Sequence, residues 1–413
     1  MNLTITPTRL QGTVTPPPSK SIAHRMILAA ALSEGESTIC NAALSEDILA
    51  TLRCAEILGA TWNLEGSTLR ISGFGGRQIN RTEPLCFDCG ESGSTLRFLI
   101  PIALALAGGG IFTGQGRLME RPLGPYLDLF RENGIDFEQT DSTLTVRGTL
   151  KSGEYRLAGN VSSQFFTGLL FSLPLLEGPS LIVPTTALES ADYVSMTIDV
   201  LACSGISVAA TFSLPPRFSV SGGSSYHPFS AAVESDWSQA AFWYAANETG
   251  SAISVSGMAE GSVQGDSVFP QLMQKLRKNR TVTIDAAQYP DLVPPLSARA
   301  ATMNGTLNIT NIGRLRMKES DRITVIADTL SAIGADISAG TDSLTIHGKD
   351  QLAGGISVDA HGDHRIAMML AIAALRCAEP ITVTGAECVR KSYPHFWEDY
   401  KSLGGIVHEH TGK

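Results

Sequence analysis

The hydrophobic pattern of the chain repeats itself. An apolar run with helical spacing ends in a glycine-containing turn, and two short strands separated by a polar turn follow. The glycine turn stands at Ile57-Leu58-Gly59-Ala60, with the strand pair closing at Leu69 to Gly73. It returns at Glu132-Asn133-Gly134-Ile135, closing at Leu144 to Gly148, and at Cys203-Ser204-Gly205-Ile206, closing at Phe218 to Gly222. A further copy starts at Ala332-Ile333-Gly334-Ala335 and closes at Leu344 to Gly348, and a last one opens at Leu403-Gly404-Gly405-Ile406. A degenerate copy without the glycine is expected near Lys275 to Asp285. Period-two alternation in Thr143-Leu144-Thr145-Val146 and Ser343-Leu344-Thr345-Ile346 marks strands. A glycine after a helix is by itself a common C-cap. The shared downstream strand pair, at a spacing of about 70 residues for most copies, points instead to an array of supersecondary units. Six such units predict an α/β chain of two domains with three units each.

Composition narrows the class. The chain has 413 residues, 43% of them hydrophobic, enough for two or three domains. With 17% charged residues it carries no disorder signature. Met1 to Leu10 lacks the basic and apolar regions of a secretory signal. The most apolar stretch, Phe98 to Phe112, is broken by Pro101 and by Gly108, Gly109 and Gly110, and is too short to span a bilayer. A cytoplasmic protein is expected. A net charge of −9 disfavours nucleic acid and anionic membranes as partners. Anionic metabolites could bind only where the basic residues are concentrated locally. Seven dispersed cysteines suit a reducing compartment, and the lone Cys86–Cys89 pair reads as two incidental thiols.

Several motifs supply that local concentration. Pro16-Pro17-Pro18-Ser19-Lys20-Ser21-Ile22-Ala23-His24-Arg25 precedes an apolar helical run, which puts Ser19 or Ser21 near an N-cap. Free backbone N–H groups, hydroxyls, Lys20 and Arg25 converge there as an anion site; taken alone, a capped helix with solvated cations fits equally well. Gly90-Glu91-Ser92-Gly93-Ser94-Thr95-Leu96-Arg97 allows close backbone approach to a ligand but matches neither the P-loop nor the dinucleotide fingerprint. In Glu120-Arg121-Pro122 the residue before proline is extended or at a helix entry, and Ser162-Ser163-Gln164 and Glu189-Ser190-Ala191-Asp192-Tyr193 are polar clusters at helix starts. Tyr289-Pro290-Asp291 holds a carboxylate in a rigid turn. The stretch from Arg314 to Arg322 packs four cations and two anions into nine residues, a pattern that is usually a solvated helix start. Gly362-Asp363-His364-Arg365 and Val389-Arg390-Lys391 add basic turns. His361 and His364 are not read as metal ligands, because Arg365 would repel a cation and no third ligand is evident. In a negatively charged chain, Lys20, Arg25, Arg121, Arg322, Arg365 and Lys391 together suit two phosphorylated or carboxylated small molecules.

Read in order, Pro18-Ser19-Lys20-Ser21, Gly90 to Arg97, Glu120-Arg121-Pro122, Ser162-Ser163-Gln164, Pro290-Asp291, Lys318-Glu319-Ser320-Asp321-Arg322 and Asp363-His364-Arg365 resemble the 5-enolpyruvylshikimate-3-phosphate synthase family over nearly the whole chain. The resemblance implies two similar domains, each of three βαβαββ units in an inside-out α/β barrel, with the active site in the interdomain cleft. One domain would combine 1–17 with 232–413, and the other would span 18–231. By similarity, Lys20, Ser21, Arg25, Ser162, Ser163, Gln164, Ser190, Tyr193, Asp291 and Lys318 would bind shikimate 3-phosphate. Lys20, Gly93, Arg121, Gln164, Arg322, His364, Arg365 and Lys391 would bind phosphoenolpyruvate.

The family chemistry is an addition followed by an elimination, through a tetrahedral intermediate. Asp291 would orient and deprotonate the 5-hydroxyl, and Glu319 would deliver and recover the methylene proton with help from Lys20. The partners implied are the two small substrates; no metal or organic cofactor is implied, and a monomer is expected. Two positions depart from the family. Glu91 stands where many members have Asn, and Arg314 where some place an Asn that touches shikimate 3-phosphate. The rival readings are a UDP-N-acetylglucosamine enolpyruvyl transferase, which shares fold and chemistry, and a non-catalytic protein that binds phosphorylated metabolites. The Lys-Ser-x-x-x-Arg and Ser-Ser-Gln elements speak against the first, and retention of both Asp291 and Glu319 against the second.

Overall fold

A computed structural model of the chain describes residues 1–410 other than 212 and 214. The chain forms two compact units, Pro18–Glu234 and the combination of Met1–Pro17 with Ser235–Lys413. The second crossing falls at 234/235 rather than at 231/232, because the strand Ser230–Ala232 pairs in parallel with Thr38, Ile39 and Cys40 and so stays with the first unit. No helix among the described residues is long and apolar enough to cross a membrane.

The Pro18–Glu234 unit carries α1 (Lys20–Leu32), α2 (Glu46–Leu58), α3 (Gly93–Ala107), α4 (Gly124–Asn133), α5 (Gln164–Ser172) and α6 (Ala191–Cys203). The other unit carries α7 (Trp237–Asn247), α8 (Phe269–Lys278), α9 (Val293–Ala300), α10 (Arg322–Ala332), α11 (His364–Ala374) and α12 (Phe396–Ser402). Five of the six sheets have four strands in one shared arrangement. In one of them Cys86–Asp88 runs parallel to Gly109–Thr113, which pairs antiparallel with Thr143–Arg147, itself antiparallel to Asp136–Gln139. Helix α3 joins the parallel pair and α4 leads into the hairpin. This arrangement contains the helix, glycine turn and strand pair of the repeat and makes the βαβαββ unit that the resemblance implies. The glycine turns stop the helices: Gly59 and Gly134 cap α2 and α4 at φ of 111° and 65°. That left-handed backbone costs an L-residue about 1–2 kcal/mol.

The sixth unit is incomplete in a different way from the expected one. Its sheet is only the parallel pair Gln11–Val14 and Ala252–Val255. Helix α8 ends at Lys278 without a glycine cap, and the chain runs straight into Thr281–Asp285, the first strand of the next sheet. The hairpin is missing along with the glycine.

Burial separates the helices into two kinds. The helices joining parallel strands are apolar all round and enclosed, as such helices must be; all eleven residues of α11 are buried. Helix α8 instead buries Phe269, Leu272, Met273 and Leu276, a single face at helical spacing. Each unit has its own hydrophobic core.

One packing detail fixes the helices that carry the site. Pro101 lies inside α3 and has no N–H for the Arg97 carbonyl four residues back. The Tyr126 hydroxyl takes that role, 2.9 Å from both the Arg97 and the Phe165 carbonyl oxygens. Gly168 of α5 lies directly over this junction. A Cβ there would stand 2.3 Å from Tyr126 Oη and 2.4 Å from the Arg97 carbonyl oxygen. Alanine normally favours a helix over glycine by about 1 kcal/mol, but overpacking against fixed backbone costs about 1–3 kcal/mol. Gly168→Ala is therefore expected to destabilise the protein on balance. Urea unfolding tests this, and an unchanged or raised midpoint would contradict the packing argument.

Candidate active site

Helix starts hold the polar clusters of the Pro18–Glu234 unit. Ser19 occupies the N-cap position of α1, but its hydroxyl makes no cap bond. Lys20 donates to Asp47 Oδ2 at 2.6 Å, across to the first turn of α2. Arg25, only 2% exposed, turns the other way, toward α5 and α6. Its Nε donates to Thr197 Oγ1 at 2.8 Å, Nη1 to the Ser21 carbonyl at 2.6 Å, and Nη2 to Thr167 Oγ1 and the Tyr193 carbonyl at 3.2 and 3.0 Å. The guanidinium also lies over the rings of Phe98 and Tyr193. No carboxylate lies within ion-pairing distance of it among the described residues. Burial pulls its pKa down to about 10, with Tyr193 opposing. His24 between them is buried, with Nδ1 on Thr51 Oγ1 at 2.6 Å. Burial, Lys20 and Arg25 hold its pKa well below the usual imidazole range.

At α3, Ser92 caps the helix by accepting from the Thr95 N–H at 3.2 Å. Gly93 is closely surrounded by side-chain ends: an added Cβ would stand 3.0 Å from Arg121 Nη1, 3.2 Å from Arg97 Nη1 and 3.5 Å from Gln164 Oε1. Arg97 Nη1 donates to Gln164 Oε1 at 2.7 Å and Nη2 to the Pro122 carbonyl at 3.2 Å. Gln164 in turn donates to Ser94 Oγ at 3.0 Å. At α6, Ser190 takes φ +54°, ψ +47° with its side chain buried. Left-handed backbone at a residue other than glycine persists only where the surroundings impose it, and it collects at functional sites. Glu91 folds back over Gly116, in a small pocket that Asp47 and Arg53 also line.

In the other unit everything turns on Arg322, which is 1% exposed. Asp363 grips it twice, Nε to Oδ2 at 2.7 Å and Nη2 to Oδ1 at 3.2 Å. Nη2 also donates to Glu319 at 2.6 Å and Nη1 to Asp291 at 3.0 Å. Asp363 caps α11 through the Arg365 N–H and accepts the Ser320 hydroxyl. Arg365 Nη2 pairs with Asp291 Oδ2 at 3.0 Å. Lys391 donates to the Gly362 carbonyl at 2.7 Å, and His364 Nδ1 meets the Ser392 hydroxyl. Burial alone would raise the Asp291 carboxyl. Arg365, Lys318 and Arg322 outweigh it, against Glu319, and hold the group well below the usual carboxylate range. Burial also lowers Arg322, yet Asp363, Glu319 and Asp291 raise it further. Lys318 is neither hydrogen-bonded nor ion-paired among the described residues. Burial pushes it down to about 8, with Asp291 opposing and Arg322 and Arg314 assisting.

The structure thus groups Gly93, Arg121 and Gln164 in one cluster, and Asp291, Lys318, Glu319, Arg322 and Arg365 in another, with His364 and Lys391 on the adjoining turn. Lys20 and Arg25 share a helix but face different neighbours. Arg314 turns to the Ala287 carbonyl. Sequence reading did not single out Arg97 or Asp47. Arg97 stands inside a motif but nothing local reveals that it grips Gln164, and Asp47 is one acid among many at a helix start.

Repeated βαβαββ units in two domains, with cations and carboxylates interleaved at helix starts, define an inside-out α/β barrel transferase. EPSP synthase from Acinetobacter baumannii is similar to this chain with a TM-score of 0.79 at 25% identity, covering 99% of this chain and 100% of that one. A second structure of that protein gives a TM-score of 0.80 at 24% identity. The chain belongs to the EPSP synthase (3-phosphoshikimate 1-carboxyvinyltransferase) family, whose model matches residues 5–400. Proteins named 3-phosphoshikimate 1-carboxyvinyltransferase from Clostridium kluyveri and Clostridium acetobutylicum are 44% and 45% identical, each match covering 98% of both chains. The one from Clostridioides difficile is 42% identical over 99% of this chain and 98% of its own. These relatives favour neither rival reading.

Breaking a buried ion pair from one side costs about 3–5 kcal/mol, because the other charge stays buried. Asp363→Ala is expected to lose that much stability in urea unfolding. A loss below about 1 kcal/mol, the range of an exposed pair, would mean that Arg322 does not depend on Asp363.

Proposed function

We propose that this chain transfers the enolpyruvyl group of phosphoenolpyruvate to the 5-hydroxyl of shikimate 3-phosphate and releases phosphate, acting as a cytoplasmic monomer without metal or organic cofactor. The observation that carries the reading is Arg322, held by Asp291, Glu319 and Asp363 at once. An acid and a base for proton transfer stand there among cations suited to a departing phosphate. Shikimate 3-phosphate is held by Lys20, Ser21, Arg25, Ser162, Ser163, Gln164, Ser190 and Tyr193, with Asp291 and Lys318 completing the set. Phosphoenolpyruvate is held by Lys20, Gly93, Arg121, Gln164, Arg322, His364, Arg365 and Lys391.

Asp291 orients the hydroxyl and takes its proton as the oxygen attacks the enol carbon. Glu319, protonated once Arg322 is drawn to the substrate, gives its proton to the methylene with help from Lys20. It recovers one from the methyl as phosphate leaves, and the proton held by Asp291 passes to the departing phosphate. A carboxylate clasped by two guanidinium groups is a weak base. The anionic oxygens of phosphoenolpyruvate displace Asp291 and Glu319 from Arg322 and Arg365. Both carboxylates then gain basicity when the substrate is in place.

Glu319→Gln and Asp291→Asn are each expected to lower phosphate release by at least ~100-fold, with shikimate 3-phosphate binding retained in calorimetry. Near-normal turnover in either variant would remove that residue from the mechanism. Lys318, at about 8, loses its proton well below an ordinary lysine. An anionic ligand restores that charge, so binding of shikimate 3-phosphate at about pH 8.5 should take up a proton. Calorimetry in two buffers of different ionisation heat measures the uptake, and Lys318→Met should abolish it. Binding without proton uptake in the unaltered protein would sink the assignment of Lys318.

A further inference from the structure

Asp266 is a buried carboxyl that feels the charge of Asp291 and has no part in the mechanism above. Asp266 lies in the short turn Gly265–Val268 and is 2% exposed. Its Oδ2 accepts the Ser238 hydroxyl, and its Oδ1 is buried with no hydrogen-bond partner. Gln264 pins this turn to the start of α7, accepting the Trp237 N–H at 3.1 Å and donating to the Ser235 carbonyl at 2.8 Å. Helix α7 packs against this turn and also against Pro290–Leu292, the turn that carries Asp291.

A buried carboxylate with one oxygen unpartnered is costly, and neutralising it is the cheaper state. Two nearby carboxylates, Asp291 and Asp236, further disfavour its charge, while Ser238 and Arg365 favour it. Burial first and Asp291 second push the group up to about 7. It is therefore a neutral acid on the acid side of neutrality and a carboxylate on the alkaline side. Once charged, it competes with Asp291 and any incoming anion for the field of Arg365.

We propose that Asp266 is a positioning residue for the phosphoenolpyruvate site: uncharged, it leaves Arg365 to Asp291 and the substrate, and its ionisation draws on Arg365 and weakens substrate binding. The inference rests on the reading of Arg365 and Asp291 given above. It acts through Arg365, so KM for phosphoenolpyruvate should respond; a change confined to kcat, through the basicity of Asp291, would overturn it.

The test is phosphate release against phosphoenolpyruvate concentration from about pH 6 to about pH 8.5, in the unaltered protein, Asp266→Asn and Ser238→Ala. The amide mimics the neutral acid at every pH, and ionisation of the substrate itself is common to all three proteins. The ratio of KM in the unaltered protein to KM in Asp266→Asn should rise about five-fold or more across this range. Ser238→Ala keeps the carboxyl but removes the hydroxyl that favours its charge, so it should move the rise to higher pH. A ratio that stays constant, or a Ser238→Ala profile that shifts to lower pH, overturns the proposal. The carbon-13 shift of the Asp266 carboxyl in aspartate-labelled protein, assigned by its displacement in Ser238→Ala, gives a readout independent of turnover. A carboxyl already fully ionised at about pH 6 overturns the neutral-acid role, whereas absence of phosphate release from the unaltered protein overturns the reaction itself.

Discussion

A guanidinium cannot lie bare in a protein interior: its desolvation costs several kcal/mol, which close carboxylates or a full set of neutral acceptors must offset. Arg322 meets this demand with three carboxylates, and they are not equivalent. Asp363 is 0% exposed and bidentate, whereas the Asp291 and Glu319 side chains are 17% and 16% exposed. The first anchors Arg322 from within. The other two lie where solvent, or a ligand, can take their place. Because Asp363 also caps α11 and accepts from Ser320, the same carboxylate locates the start of that helix and the loop that bears Lys318 and Glu319. One buried pair therefore sets the geometry of the proposed acid, the proposed base and two of the proposed phosphoenolpyruvate cations, Arg322 and Arg365.

Arg25 solves the same problem in the opposite way. Among the described residues it has no carboxylate partner; hydroxyl oxygens, carbonyl oxygens and two ring faces satisfy it instead. Those partners are neutral, so its positive charge survives. A neutral His24 beside it avoids a third cation in the same helical turn. In an overall negative chain, such a charge is a local source of attraction for an anion. Where Arg322 holds its countercharges ready, Arg25 leaves the countercharge to be supplied.

Features set by neighbours in sequence were legible beforehand, and features set by distant neighbours were not. The glycine turns at Gly59 and Gly134 announced helix ends because a left-handed cap is a local demand. Cations at helix starts were visible in the same way. The role of Tyr126 was invisible, since it depends on Pro101 and Gly168 meeting across two helices. Arg97 and Asp47 looked like ordinary members of a motif and a helix start; only packing shows what they grip. The incomplete sixth unit was anticipated from its missing glycine, but the loss of its hairpin follows from strand pairing, which a single stretch of sequence does not encode. The crossing at 234/235 was expected at 231/232 for the same reason, because the partner of Ser230–Ala232 lies nearly two hundred positions away in sequence.

The strand Asn2–Thr6 lies inside its sheet, antiparallel to Ile381–Thr384 on one side and to Ile406–His410 on the other. Leu3 and Ile5, opposite Val383 and Ile381, are buried there. During synthesis this segment leaves the ribosome nearly four hundred positions ahead of its partners. The Pro18–Glu234 unit can finish its sheets as soon as Ser230–Ala232 emerges, while the other unit must keep an apolar strand with two unpaired edges waiting until Ile381–Thr384 and Ile406–His410 emerge. Such a wait is when strands find wrong partners. The order of manufacture, more than final stability, is then what exposes this chain to aggregation.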